Sequence, residues 1–194
     1  MEELKSKIWE DRRRILELGC GRNPRFKNSI RMDWFKFDGI DKVVDIVKDE
    51  FPFPDETFDL VYAEHVMEHV QLTRDFNNVM MKIWKILKME GKLQIKVPHT
   101  AIPTLYNNIE HGRGGFSRFS FTYYQLDHTP YVQSPFIVES VKLHWAVHGG
   151  RIKKMIGRLV DVLANLNIEA CERIWVYWVG GFEEIEYVLC KVDR

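Results

Sequence analysis

The amino-acid sequence predicts an α/β fold with a mostly parallel sheet and helices on both faces. Two observations lead to this prediction. Between residues 15 and 98, short apolar runs end at glycine, proline or acidic residues, which is typical of strands buried in a parallel sheet. A longer segment with apolar residues at helical spacing separates the last two of these runs, as a crossover between parallel strands requires.

The elements of this first half can be placed individually. Five runs are predicted as strands, at residues 15–18, 30–33, 42–46, 58–63 and 92–97. The segment 51–55 is a loop, because its two prolines exclude both a helix and a central strand. Apolar spacing predicts a helix from about Val66, which ends at a Glu90-Gly91 turn.

The second half of the chain is predicted to be less regular. Residues 99–135, rich in glycine, serine and aromatic residues, are interpreted as a lid that carries substrate contacts, and residues 148–182 as a helical insertion. Strands are expected at 136–147 and 184–192. The insertion carries an apolar stripe, Ile152, Met155, Ile156, Leu159, Leu163 and Leu166. This stripe predicts a helix packed on the sheet with a solvated basic face, and a dimer contact or an anionic substrate surface is the alternative.

Composition and charge exclude several classes of protein. The 194 residues, 45% of them hydrophobic, predict a single domain over residues 1–194. Lys+Arg and Asp+Glu both number 28, which argues against a protein that coats nucleic acid. Three cysteines without a CxxC pair predict no zinc knuckle and fit a reducing compartment. Since the apolar runs are too short to span a bilayer and the N-terminus is charged, we expect a cytoplasmic protein with no membrane partner.

Four groups of residues follow the predicted strands where a nucleotide-like ligand would need them. Glu17-Leu18-Gly19-Cys20-Gly21 ends the first strand, and glycine there lets the backbone approach a ligand. Asp33 ends the second strand, where a carboxylate can accept hydrogen bonds from ribose hydroxyls. Asp45-Ile46 follows the third strand and can hold an adenine. Glu64-His65 follows the fourth strand, at the mouth of the same cleft.

A metal site is not predicted at this mouth. His65 and His69 are four residues apart, which puts them on one face of a helix. The order His-Val-Met-Glu-His, however, differs from the H-E-x-x-H arrangement of zinc enzymes.

Several of these segments together resemble one family. They are ILELGCG, then MD, then VDIVKDEFPFPDETFDLVYAEHVMEHV, then LKMEGKLQIKVPH. They resemble class I S-adenosylmethionine-dependent methyltransferases, and are most similar to the small methyltransferases around the "type 11" domain. The match covers residues 14–99. The resemblance implies a Rossmann-like sheet whose C-terminal strand, EEIEYVLCKV, is an antiparallel edge strand, and S-adenosyl-L-methionine as cofactor.

The resemblance also implies roles for individual residues. Glu17, Gly19, Cys20 and Gly21 would line the methionine part of the cofactor, and Asn23 lies where this loop turns. Asp33 would bind the ribose, and Asp45 and Ile46 would flank the adenine. Glu64 and His65 would run beneath the methionine and the sulfonium. Residues 14–98 would thus form the cofactor-binding core.

One departure from the usual pattern concerns the first crossover. Eleven residues separate Gly21 from Asp33, and Pro24 interrupts them, so a normal crossover helix hardly fits. We therefore expect backbone N–H groups of the loop, rather than a helix dipole, to contact the cofactor.

Methyl transfer from a sulfonium mainly requires that nucleophile, methyl carbon and sulfur be held in line, so positioning supplies most of the rate. A general base is needed only if the nucleophile must lose a proton early, and the candidates are His99, His111 and His65. The acceptor atom, O, N or C, is left open. No N-P-P-Y, D-P-P-Y or Pro-Cys signature is present, which disfavours methylation of nucleic-acid bases.

We therefore expect a small-molecule substrate, with protein or RNA as the alternative, in a monomer or homodimer. Two other functions compete with a methyltransferase. A nicotinamide-dependent oxidoreductase shares the strand, glycines and ribose carboxylate, but Gly19-x-Gly21-x-x-Pro24 lacks the third glycine. A non-catalytic module that only binds S-adenosylmethionine would keep the same residues.

Overall fold

The computed structural model describes residues 14–102, 114–125 and 135–193. Within these residues one sheet contains seven strands in the order β3-β2-β1-β4-β5-β7-β6. The strands are β1 Ile15–Leu18, β2 Ile30–Asp33, β3 Lys42–Val43, β4 Phe58–Glu64, β5 Leu87–Pro98, β6 Phe136–His144 and β7 Glu184–Lys191. The predicted α/β architecture with a mostly parallel sheet is confirmed.

The strand order reverses beside β1. Leu18 of β1 lies opposite Met32 of β2 on one side and Ala63 of β4 on the other, and both pairings are parallel. The chain thus runs from β1 outward to β3 and then returns to β4. Ligands of open α/β sheets bind at such a switch point, outside the carboxyl ends of the strands.

The C-terminal strand β7 lies one place in from the edge of the sheet. It pairs antiparallel with β5, with Ile95 opposite Tyr187, and antiparallel with β6, with Leu143 opposite Ile185. The outermost strand is therefore β6 rather than β7. Because Tyr187 and Ile185 are fully buried, an interior position suits β7 better than an edge position.

The helix between β4 and β5 is shorter than the spacing predicted. A 3₁₀ turn, Met67–His69, precedes α1, which spans Thr73–Ile86 and buries Phe76, Val79, Met80, Ile83 and Ile86. The expected Glu90-Gly91 turn instead lies inside the long strand β5, where Glu90 has a φ of 60°.

The described part of the segment interpreted as a lid packs into the core. Phe116 and Phe121 are buried and stack with ring centroids 5.9 Å apart. Tyr124 is also buried, and its hydroxyl donates a hydrogen bond to Asn77 at 2.7 Å. Phe116, Phe121 and Tyr124 therefore anchor the segment, and a lid role for residues 99–135 stays a prediction.

Helix α2 spans Arg151–Leu166 and turns its apolar stripe away from the protein. Only Gly157 and Ala164 are buried. Gly157 allows a close approach, since a Cβ there would lie 2.8 Å from the Cβ of Ala146. Asp161 and Asn165 accept hydrogen bonds from the amides of Trp145 and Leu143. The helix thus lies against β6 of the sheet, but polar and small residues make that contact and the apolar stripe does not. A short helix, Ile168–Ala170, and a π-helical turn, Cys171–Trp175, follow.

Within the described ranges, no helix has both the length and the apolar character that crossing a bilayer requires.

Candidate active site

A cavity of about 480 Å³ opens at the carboxyl ends of β1, β2 and β4. Its volume lies in the range of small-molecule and cofactor sites. The residues that line it are Gly19, Asp33, Trp34, Val44, Asp45, Ile46, Val47, His65, Val66, His69, Val70 and Gln71. Five of the predicted site residues, Gly19, Asp33, Asp45, Ile46 and His65, are thus brought together at the switch point.

The two glycines after β1 both adopt left-handed backbone conformations. Gly19 has a φ of 59°, and a Cβ there would lie 2.4 Å from Cγ2 of Val66. Gly21 has a φ of 55°, but a Cβ there would meet no atom within 4 Å. Gly19 is therefore required by both its conformation and its neighbour, whereas Gly21 is required by its conformation alone.

Asp33 connects the end of β2 to the glycine loop. Its Oδ2 accepts a hydrogen bond from the amide of Gly21 at 2.9 Å, and its Oδ1 accepts one from the amide of Phe35 at 3.0 Å. The side chain is buried but borders the cavity. A carboxylate has about four lone-pair sites, so Asp33 retains the capacity to accept hydrogen bonds from ribose hydroxyls.

The side of the cavity beyond β3 is apolar, with Asp45 at its margin. Val44, Ile46 and Val47 provide the apolar surface. Burial raises the pKa of Asp45, but hydrogen bonds from the Lys48 side chain and from the Val47 and Lys48 amides outweigh it and hold this pKa below its ordinary value. Asp45 therefore remains a carboxylate at neutral pH. This surface suits a flat apolar ring such as adenine.

Glu17 acts on the loop rather than lining the cavity. Its buried carboxylate accepts hydrogen bonds from the amides of Arg25 and Phe26 at 2.7 and 2.9 Å and from the Ser29 hydroxyl. The segment 19–29 contains no helix, as the short spacing predicted. Glu17 thus compensates for the missing helix by bonding the loop amides directly.

Four other predicted site residues, Gly21 among them, do not line the cavity. Asn23 is exposed on the loop. Cys20 is half-buried, and burial, followed by the charges of Glu17 and Asp33, raises the pKa of its thiol to about 11. Glu64 points to the neighbouring Tyr62, whose hydroxyl donates to it at 2.5 Å. Their contacts with a cofactor stay predictions.

His65 is held between two carboxylates at the cavity wall. Its Nε2 lies 2.8 Å from Oε1 of Glu184, and its Nδ1 lies 3.1 Å from Oε1 of the fully buried Glu68. The hydrogen bonds to Glu184 and then Glu68 raise the pKa of His65 to about 10. His65 is therefore an imidazolium at neutral pH and cannot accept a proton, which removes it as a general base.

Glu64, His65 and Glu184 also bring metal-ligand atoms within 4.8 Å of one another. Each nitrogen of the His65 ring already faces a carboxylate, so a metal ion there would have to displace the Glu184 contact.

The prediction that His99 faces the cleft is wrong. His99 is buried, its Nδ1 accepts a hydrogen bond from the Ala101 amide at 3.1 Å, and its Nε2 lies 3.1 Å from Oε1 of Glu172. This pattern assigns the proton to Nε2 and makes His99 a structural histidine. The other candidate base, His111, lies outside the described residues.

Sequence reasoning missed several cavity residues. Trp34 directly follows Asp33 and is exposed at the rim of the cavity. An aromatic residue next to the predicted ribose carboxylate could have indicated from the sequence that Trp34 belongs to the site. Val66, His69, Val70 and Gln71 come from the turn after β4. They were expected on a continuous helix, and only the break before α1 turns them toward the cavity.

Comparisons with known proteins point to one family. A family model described as a methyltransferase domain matches residues 1–134. A SAM-dependent methyltransferase from Archaeoglobus fulgidus has a similar structure, with a TM-score of 0.59 and 17% identity over 97% of this chain and 90% of that chain. Comparison with curated protein sequences found no match.

Two further solved structures share the fold. A geranyl diphosphate C-methyltransferase from Streptomyces coelicolor A3(2), crystallised with Mg²⁺, geranyl diphosphate and S-adenosyl-L-homocysteine, has a TM-score of 0.55 and 13% identity over 98% of this chain and 78% of that chain. A putative methyltransferase in complex with the Haloferax volcanii Trm112 activator has a TM-score of 0.54 and 14% identity over 98% of this chain and 89% of that chain.

The cavity fits the cofactor of this family. Asp33 can bind the ribose, and the apolar surface of Val44 and Ile46 can hold the adenine. Among the residues that the structure describes, the cavity lining contains no lysine or arginine and no helix begins after Gly21, so none of them would hold a dinucleotide pyrophosphate. This chain therefore belongs to the methyltransferase-domain family, whose cofactor is S-adenosyl-L-methionine.

Proposed function

We propose that this methyltransferase acts on an O, N or C nucleophile of a small molecule. The observation that carries the proposal is the charge of the cavity. In the described parts of the chain, its lining contains the carboxylates of Asp33 and Asp45 and no lysine or arginine. Such a wall attracts the cationic sulfonium. The one cation among its described residues, the His65 imidazolium, is already paired with Glu184 and Glu68, so no unpaired cation there is offered to a phosphate backbone, which disfavours nucleic-acid substrates.

The bound cofactor supplies a methyl group already activated by the sulfonium charge. The chain's own residues then have to orient and enclose the reactants. Asp33 fixes the glycine loop through the Gly21 amide and keeps acceptor capacity toward the ribose. His65, bonded to Glu184 and Glu68, holds the end of β4 against the start of β7 and thereby fixes the cavity wall.

His69 is the proposed general base for acceptors that must lose a proton. It is exposed and lines the cavity. His99 is excluded because both its ring nitrogens are engaged in the core. For an acceptor that is already deprotonated or neutral and nucleophilic, positioning alone suffices.

We place the reaction in the cytoplasm, and we retain residues 99–135 as the segment that closes over the substrate. The thiols of Cys20, Cys171 and Cys190 are all free, which supports a reducing compartment. Burial of Phe116 and Phe121 attaches residues 114–125 to the core.

A methyl-transfer screen tests the substrate class. The protein is incubated with isotope-labelled S-adenosylmethionine and with small-molecule, protein and RNA fractions of a cell extract. Label is expected in the small-molecule fraction, to be lost with Asp33→Ala and kept with Asp38→Ala, an exposed acid outside the cavity. Label confined to protein or RNA would overturn the proposed substrate class.

A further inference from the structure

Helix α2 carries an exposed apolar face, which we call the outer stripe. Its side chains are 47–78% exposed, and they are Ile152, Met155, Ile156, Leu159, Val162, Leu163 and Leu166. At 100° per residue they fall on one side of the helix, opposite the buried Gly157 and Ala164. A surface helix ordinarily turns such a stripe to the core, so this one is available to something outside the described chain.

A row of cations runs beside the outer stripe. Arg151, Lys154 and Arg158 are exposed and lie three and four residues apart, on the flank between the stripe and the body of the protein. None of them forms an ion pair with another described residue, whereas Lys153 pairs with Glu183. The one acid of α2, Asp161, is engaged by the Trp145 amide at 2.6 Å.

The position of these cations is unfavourable for an isolated helix. The N-terminus of a helix carries a partial positive charge, so acids are stabilising in the first turn and cations are destabilising. The first turn of α2 contains no acid, but it contains Arg151 and Lys154. The stability of the helix therefore does not explain these residues, whereas an anionic partner at this end would.

The segment after α2 adds exposed aromatic side chains. It packs beside the helix, since Val160 and Leu163 line a small cavity together with Trp175 and Val179. Two residues of this segment, Tyr177 and Trp178, are largely exposed. Tyrosine and tryptophan, which have an apolar ring and one polar atom, are favoured at the boundary between lipid and water.

We propose that α2 docks onto an anionic lipid bilayer. The outer stripe enters the boundary of the acyl chains, and Arg151, Lys154 and Arg158 contact lipid phosphates, the arrangement of an interfacial helix. A second copy of the chain fits less well, because two such helices would bring together the same cations without an exposed acid on α2. The proposal revises the expectation of no membrane partner, which rested on apolar runs too short to span a bilayer and on the charged N-terminus.

Vesicle flotation of the full chain tests this docking. Binding is expected to vesicles of phosphatidylcholine with one-third phosphatidylglycerol, weakly or not at all to pure phosphatidylcholine, and less in high salt. Replacing the row (Arg151→Gln, Lys154→Gln, Arg158→Gln) should lower partitioning about 100-fold, since each surface cation contributes about fivefold. The matched control replaces three exposed cations elsewhere, Lys27→Gln, Arg74→Gln and Lys85→Gln, and should retain most of the binding.

The apolar component is tested with Met155→Gln, Leu159→Gln and Leu166→Gln, which should abolish binding without unfolding the protein, because these side chains are already solvated. Equal loss in the row variant and its control, or binding that survives the stripe variant, would overturn the proposal. The proposal would also be overturned if the protein did not bind vesicles and light scattering showed that it dimerises through the stripe. Without vesicles, the row variant should melt no lower than the parent. A lower melting temperature would show that the cations serve the fold and would also count against docking.

Discussion

The carboxylate of Asp33 accepts a hydrogen bond from the amide of Gly21 at 2.9 Å. One side chain thereby ties the end of β2 to the loop that follows β1. The same carboxylate borders the cavity, so the shape of the glycine loop and the ribose contact depend on one residue.

Asp33→Ala is therefore expected to weaken cofactor binding by roughly 1.5–3 kcal/mol, the contribution of a hydrogen bond to a charged group. This corresponds to about a 10- to 150-fold loss of affinity for S-adenosylhomocysteine. Calorimetric titration measures it, with Asp38→Ala as the control that should bind like the parent. An unchanged affinity in Asp33→Ala would remove Asp33 from the site.

Alanine at the two glycines should have different effects. Gly19→Ala and Gly21→Ala each force a left-handed residue, at a cost of about 1–2 kcal/mol. Only Gly19→Ala adds a clash with Val66, so urea unfolding should show a larger loss in the free energy of unfolding for Gly19→Ala than for Gly21→Ala. Adding Val66→Ala to Gly19→Ala should relieve the clash, so the effects of these two substitutions on stability should be non-additive. Equal losses at both glycines would contradict the close contact of Gly19 with Val66.

The stability of the protein should decrease from pH 6.5 to pH 10. The folded pKa of His65, about 10, lies above its unfolded value, so its contribution is fully present below about pH 6.5 and is lost as the pH rises. His144, between Asp161 and Glu186, has a pKa of about 9 and acts in the same direction. Thermal unfolding should show His65→Gln less stable than the parent at pH 6.5, with the gap closing toward pH 10.

The matched control for this prediction is His148→Gln, an exposed histidine whose side chain has no partner among the residues that the structure describes. Its melting temperature should follow that of the parent across the whole range. A gap for His65→Gln that stays constant with pH would mean that His65 is not held as an imidazolium.

Replacement of His99 should affect stability and leave the cofactor site intact. His99→Ala leaves the Ala101 amide without its hydrogen-bond acceptor and removes the contact with Glu172 in the core. We expect a loss of about 1–3 kcal/mol in the free energy of unfolding, the cost of an unsatisfied buried group. Affinity for S-adenosylhomocysteine per folded molecule should be unchanged. A loss of affinity with full stability would return His99 to the site.

The strands and the residues that end them could be predicted because their signals are local. An apolar run stopped by glycine or aspartate predicts a buried strand whose last residue reaches the sheet edge, and Gly19 and Asp33 do lie there. The helix before β5 was placed less well, because Leu87 continues the helical spacing but pairs with Phe58 in the sheet. Here a long-range pairing outweighs a local periodicity.

The sequence by itself determined the mostly parallel sheet, the glycine loop without a helix and the carboxylate after β2, since each depends on residues close together in the chain. Only the tertiary structure decided the protonation of His65, because Glu184 lies 119 residues away. It also decided that His99 belongs to the core and that the stripe of α2 faces outward. Periodicity locates an apolar face, but the contacts of Gly157, Asp161 and Asn165 with distant residues decide which way that face turns.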